Sequence, residues 1–223
     1  MSLWAIVPVK PIRRGKSRLA GVLSEKERTR LNTFLFEHTM QALVSVDRID
    51  QILVISRDPS VLSLARQYKT RTLQEDSGSN LNLALKLAAR MAQVYETREI
   101  LVIPADLPLV TADEINQFLN LSGNPPEVII APDRHLSGTN ALYINPIAEI
   151  EYHYGPNSYQ KHLNEAEAHG YSVKKRISPL LGFDLDFPED LDIFYKIQNG
   201  EINPEQIVIN SKQPELEEKW LNE

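Results

Sequence analysis

Leu3-Trp4-Ala5-Ile6-Val7-Pro8-Val9 runs directly into Lys10-Pro11-Ile12-Arg13-Arg14-Gly15-Lys16-Ser17-Arg18. The first half is a continuous apolar run of strand length, the pattern of a β-strand covered on both faces. The second half is cationic and broken by Pro11 and Gly15, which reads as a loop. In open α/β sheets ligands bind beyond the carboxyl ends of the strands, so this junction predicts an anion site. Residues 1–30 hold eight Lys or Arg against Glu25 and Glu27, although the whole chain of 223 residues has a formal net charge of -6. A local positive field in an acidic protein suits a compact polyanion such as a nucleoside triphosphate better than a long nucleic acid. Gly15-Lys16-Ser17 imitates the end of a P-loop, but the first glycine of that motif would fall on Lys10, and Pro11 removes a backbone donor. Lys16 and Arg18 remain suited to phosphate as a point charge and a planar fork.

Outward from this stretch, strand-like and helix-like segments alternate. Ser24-Glu25-Lys26-Glu27 is a capping-box pattern that predicts a helix to about Val46. Gln51–Ser56 reads as a strand, Asp58-Pro59 as the start of a helix to about Tyr68, and Arg71–Leu73 as a short strand. The polar loop 75–80 precedes a helix from Leu81 to about Val94, then a buried strand over Ile100–Pro104 and a helix capped by Thr111. Apolar strands separated by helices imply an α/β fold, with a mostly parallel sheet covered on both faces. After Glu127–Ala131 the strand Thr139–Ile144 follows without a helix, which predicts an antiparallel pair. Ser158 is expected to cap a helix to about His169, Tyr171–Ile177 is a strand, and Pro188 opens the last core helix, ending near Gly200. Residues 1–200 form the expected domain. The remaining 201–223, with six Glu against Lys212 and Lys219, are an acidic extension with a short helix expected over 214–221.

With 42% hydrophobic and 24% charged residues the composition is that of a globular domain. The amino terminus lacks a signal-peptide pattern and no apolar run reaches membrane-spanning length, so a cytoplasmic protein with no membrane partner is expected. The absence of cysteine removes disulfides, cysteine zinc sites and thiol nucleophiles. The five histidines are scattered, which favours surface or packing roles over a metal site. A homodimer is compatible with the sequence, which does not fix the assembly.

Two acidic segments supply the counterpart to the basic loop. Asp106 follows an apolar strand in Leu101-Val102-Ile103-Pro104-Ala105-Asp106-Leu107-Pro108-Leu109, where an unpaired carboxylate would be costly to bury. Asp184 and Asp186, two apart in Gly182-Phe183-Asp184-Leu185-Asp186-Phe187-Pro188, share one side of an extended segment. Bracing the turn before Pro108 and capping the helix at Pro188 are the structural alternatives. Together the three carboxylates and the cationic loop are the parts of a Mg²⁺–triphosphate site.

The ordered set VPVKPIRRGKSRL, SGSNLNLAL, IPADLPL, SGTNALY, YGPNSYQKH and DLDFPEDL, spanning about residues 3–197, resembles the 2-phospho-L-lactate and phosphoenolpyruvate guanylyltransferases of coenzyme F-420 biosynthesis. The resemblance implies a glycosyltransferase-A-like Rossmann fold that uses GTP and Mg²⁺ to transfer GMP to a small phosphorylated acid. It implies that Lys16 contacts the triphosphate with Lys10 and Arg18 in support, and that Asp106, Asp184 and Asp186 bind Mg²⁺. Thr139, Gly155 and Ser158 would hold the acceptor, while Asn80 and Asn82 would read guanine or ribose. Two residues depart from the pattern expected of relatives: Tyr154 stands in place of phenylalanine and Asn157 in place of glycine. The residues alone leave open another nucleotidyl- or sugar transferase of this fold, and a catalytically silent nucleotide-binding protein.

Overall fold

The alternation along the first strand decides how the sheet is covered. In the computed structural model, which describes residues 2–76, 80–147 and 150–209, β1 spans Leu3–Pro8. Its Leu3, Ala5 and Val7 enter one apolar cluster, while Trp4 and Ile6 enter another on the opposite face. The first cluster takes Phe36, Met40 and Leu43 from α1 (Glu25–Val44), Val61, Leu62 and Ala65 from α2 (Pro59–Arg66), and Ile115 and Phe118 from α4 (Ala112–Leu119). The second takes Ala84, Leu85, Ala88 and Ala92 from α3 (Leu81–Val94), and Leu163 and Ala166 from α5 (Ser158–Ala168). Both faces of the strand are therefore removed from water, which is why its apolar run is unbroken.

The other strands are β2 (Gln51–Ser56), β3 (Arg71–Gln74), β4 (Glu99–Val102), β5 (Glu127–Pro132), β6 (Thr139–Asn145) and β7 (Ser172–Lys175). They form one sheet in the order β3-β2-β1-β4-β6-β5-β7. β1 is parallel to β2 and β4, whereas β6 runs antiparallel to β4 and β5. The chain winds from β1 towards β3 on one side and resumes with β4 on the other, so the topological switch point lies between β1 and β4. Because β6 is reversed, its first residue, Thr139, lies at the same edge of the sheet as the carboxyl ends of β1 and β4.

Most expected elements lie within a few residues of their positions. The fourth strand stops at Val102, short of Pro104. One turn of helix, α6 (Pro179–Gly182), was not foreseen in the sequence, and α7 covers Pro188–Gln198. A third apolar cluster, Leu19, Leu109, Phe183, Leu185, Leu191, Phe194 and Ile207, lies beneath the basic loop and the last acidic segment. Ile207 belongs to it, so packing continues past the boundary expected at 200. The helix expected over 214–221 lies outside the described residues. Among those that are described, no helix is long and apolar enough to cross a membrane.

Candidate active site

The basic loop is ordered from below. The Asn32 amide donates to the Ile12 carbonyl at 2.7 Å, and the Ile12 N–H donates to the Asp58 carboxylate at 3.2 Å. A side chain at Gly15 would place its Cβ 2.7 Å from the Asn32 amide nitrogen, which explains the glycine before Lys16. Lys16 itself has φ 55°, a left-handed conformation that costs an L-residue with a Cβ about 1–2 kcal/mol. The strain is held by two contacts. Its Nζ donates to Asp106 Oδ2 and to Asp186 Oδ1, each at 2.8 Å, and the side chain is only 6% exposed. Lys16 follows β1 and Asp106 follows β4, so this pair closes across the switch point.

The surrounding charges form one cluster. Arg18 Nη1 donates to Asp186 Oδ2 at 3.0 Å, and its guanidinium lies 4.7 Å from the Phe187 ring centre. Burial would push the Lys16 ammonium down, yet Asp106 and Asp186 hold it above the ordinary lysine range. Burial likewise pushes Asp186 up, but Lys16, with Lys10 and Arg18, carries its carboxyl below the usual range. Asp184 moves the other way: burial and then the charges of Asp186 and Asp106 hold it well above, and Lys16 offsets this only in part. The backbone joins the acidic segments, with the Leu185 N–H donating to the Asp106 carbonyl at 3.3 Å.

Asp190, which the sequence reading passed over, fixes this last segment. One carboxylate oxygen accepts from the N–H groups of Asp186 and Phe187, at 2.9 and 2.7 Å, while the other pairs with Arg134. Asp190 thus does the capping work at the start of α7, and the Asp186 side chain is left for the cations. The signal was present in the sequence, since Asp190 is the third residue of a helix opened by Pro188.

The acidic residues here offer carboxylate oxygen, the ligand type that a divalent cation takes. Asp184 sits among like charges with one lysine as partial compensation, and the set consists only of carboxylate oxygens. Among the described residues, no group of three or more His, Asp or Glu side chains is arranged to hold a metal ion by itself. Mg²⁺ commonly takes one or two carboxylates and completes its shell with phosphate oxygens and water, which an open set of this kind permits.

Thr139 and Ser158 form a second, separate group. Both are buried, and the Ser158 hydroxyl donates to Thr139 Oγ1 at 3.3 Å. Ser158 does not cap α5, contrary to expectation. Asn157 occupies the cap position at φ 58° with no side-chain cap bond, leaving the Ser158 hydroxyl free to meet Thr139. The conformation also accounts for glycine being expected at 157, and asparagine is the residue that tolerates it next best. Gly155, at φ 126°, supplies a turn that other residues rarely adopt. His162, one turn beyond Ser158, completes the group: Nδ1 lies 2.9 Å from Thr139 Oγ1. The start of β6 is tied towards the acidic segment by the Asn140 amide, which donates to the Leu181 carbonyl at 2.9 Å.

The two asparagines have structural partners. Asn80 Oδ1 caps α3 by accepting from the Leu83 N–H. The Asn82 amide donates to the Tyr154 carbonyl at 3.1 Å and accepts from the Tyr154 N–H at 2.8 Å. Both ends of the Asn82 amide therefore brace the turn before Gly155. Residues 77–79 of the SGSN segment lie outside the described residues.

A seven-stranded mixed sheet with cations and carboxylates at its switch point defines an α/β protein of the nucleotidyltransferase class. Solved structures agree on the fold. A nucleotidyl transferase from Methanothermobacter superposes with a TM-score of 0.66 at 14% identity, covering 90% of this chain and 99% of its own. The 4-diphosphocytidyl-2C-methyl-D-erythritol synthase of Anaerococcus prevotii gives 0.59 at 11% identity, covering 89% and 96%. The chain belongs to the family described as Guanylyl transferase CofC like, which matches residues 3–202. It is 38% identical over 191 residues to a phosphoenolpyruvate guanylyltransferase of Rubrobacter xylanophilus, covering 86% of this chain and 92% of the relative. It is 37% identical over 186 residues to a 2-phospho-L-lactate guanylyltransferase of Methanocaldococcus vulcanius, covering 83% and 81%.

Proposed function

We propose that the protein transfers GMP from GTP to the phosphate of a three-carbon phospho-acid, with phosphoenolpyruvate as first acceptor and 2-phospho-L-lactate as second. The observation that carries this reading is the Lys16 ammonium set between Asp106 and Asp186 across the switch point, in a chain of a guanylyltransferase family. An oxygen of the acceptor phosphate attacks the α-phosphorus of GTP in line. The new P–O bond forms as the bond to the bridging oxygen of the β-phosphate breaks, and pyrophosphate departs. The acceptor phosphate is already ionised, so no protein nucleophile or general base is required.

Catalysis is then a matter of position and charge. Lys16 and Arg18 meet the β- and γ-phosphates, where charge accumulates as pyrophosphate leaves, and Lys10 adds to the field. Asp106, Asp184 and Asp186 would hold Mg²⁺, which would neutralise triphosphate charge. Thr139, Gly155 and Ser158 receive the acceptor. The test is to mix the protein with GTP, MgCl₂ and each acid, follow pyrophosphate release, and weigh the product by mass spectrometry. A GMP adduct of the acid is expected. Pyrophosphate release with neither acid would overturn the reading, and an adduct with a sugar phosphate alone would favour another transferase of this fold.

A further inference from the structure

An imidazole that is neutral has one donor and one acceptor nitrogen, and its neighbours decide which is which. In His162, Nε2 lies 2.9 Å from the backbone nitrogen of His153, a group that can only donate. Nε2 therefore carries no proton, and the ring proton is on Nδ1. Nδ1–H then donates to Thr139 Oγ1 at 2.9 Å. Burial, with His153 alongside, holds His162 below its ordinary range, to about 4, so this state persists at neutral pH. The ring of Tyr154 packs edge-on at 4.9 Å between centres and keeps the imidazole in place.

The count of protons beyond that point is fixed. Thr139 and Ser158 have two hydroxyl protons between them, and one is used in the bond that joins them. With one Thr139 lone pair filled by His162, the pair has one O–H left to give, whichever hydroxyl makes the internal bond. His162, Ser158 and Thr139 are 2%, 2% and 5% exposed, so their hydrogen bonds to one another set their orientation.

We infer that His162 is a positioning residue: by donating to Thr139 Oγ1 instead of accepting from it, it keeps one O–H of the Thr139–Ser158 pair available to an anionic oxygen of the acceptor. This rests on the reading of Thr139 and Ser158 as the acceptor pocket. The role is one of polarity: His162 acts on the acceptor through Thr139.

Two conservative variants separate the halves of the ring. His162→Asn retains a donor near the Nδ1 position, whereas His162→Gln retains an acceptor near Nε2 and removes the donor to Thr139. The KM for phosphoenolpyruvate is expected to rise about fivefold to tenfold in His162→Gln, the scale of one lost hydrogen bond between neutral groups that orients the donor, with the KM for GTP unchanged. His162→Asn should stay within about threefold of the parent, because the donor survives. Adding His162→Gln to Thr139→Val should change the KM no further, since both act on one hydroxyl. Long-range proton–nitrogen correlation spectra of the unmodified protein should show Nδ1 protonated and Nε2 bare. A protonated Nε2, a Gln variant that matches the parent, or full additivity with Thr139→Val would each overturn the inference. Absence of turnover by the parent with either acid would instead overturn the proposed function, while the spectra would still decide the state of His162.

Discussion

The charged cluster and the hydroxyl group around Thr139 are built on opposite principles. Around Lys16, formal charges face one another in a partly open cleft: the Asp106 and Asp186 side chains are 33% and 27% exposed. Around Thr139 the groups are neutral and buried, and hydrogen-bond direction alone organises them. The first arrangement suits a ligand whose charge changes during reaction, since fixed charges act over distance and need no reorientation. The second suits recognition, since a hydroxyl held by directed bonds offers its proton in one fixed direction. Damage to the two regions should therefore differ in kind.

The charged side should fail in turnover. Asp106→Asn keeps the size of the side chain and one hydrogen-bond acceptor for Lys16, so the fold should survive while GMP transfer is abolished. Near-parental pyrophosphate release by a folded Asp106→Asn protein would remove Asp106 from the reacting centre. Lys16→Ala should lower kcat/KM by at least about two orders of magnitude, the scale for losing one donor to developing charge. It also leaves Asp184 and Asp186 facing each other with less compensation. MgCl₂ should accordingly raise the melting temperature of Lys16→Ala more than that of the parent. Equal shifts would mean that no cation enters the carboxylate set.

On the neutral side the response to pH should be the distinguishing mark. The folded-state pKa of His162 is depressed from 6.5 to about 4 by burial and by His153, with Glu165 opposing. The unfolded chain thus binds more protons between these values, and stability must rise with pH across the window. The contribution is fully present above pH 6.5 and is lost as pH falls towards 4, amounting to about 3 kcal/mol if the shift is complete. Melting temperature measured from pH 7 to 4.5 should fall more steeply in the parent than in His162→Asn. Parallel curves would show that the imidazole is not held neutral by the fold.

The two sides also differed in how far the sequence revealed them. Asp106 stood out because a charged residue just past an apolar strand is costly unless partnered, Lys16 because it lies in a cationic loop after one, and Asp184 and Asp186 because their spacing puts them on one side of an extended segment. The sheet was visible from runs such as Leu3–Val7 that leave no face for water. His162 carried no such mark. Its meaning depends on a backbone N–H at 153 and a hydroxyl at 139, and only its place four residues after Ser158 hinted at a shared helix face. The bracing bonds of Asn82 were hidden because an amide that reads a base and one that braces a turn look alike until its partner, Tyr154, 72 residues away, is known. α6 escaped because four residues are too few for a helical period.

The smallest expected effect tests the boundary of the neutral pocket. The Tyr154 hydroxyl is buried and has no hydrogen-bond partner among the described residues, and burial holds its pKa above the ordinary range. A hydroxyl stripped of water without a replacement bond costs about 1–3 kcal/mol, whereas its removal leaves a gap of only one atom. The ring, which holds His162 edge-on, and the backbone, which Asn82 braces, do not depend on that oxygen. Tyr154→Phe should therefore leave stability unchanged or raise it by up to about 1 kcal/mol, with the KM for phosphoenolpyruvate unmoved. Thermal melts and acceptor titrations on the same preparation check both halves. A rise in acceptor KM without loss of stability would extend the pocket to Tyr154 and make its hydroxyl a second neutral donor to the phospho-acid. An equal change in both would mean that the phenol is supporting the His162 ring through a contact other than the edge of its own.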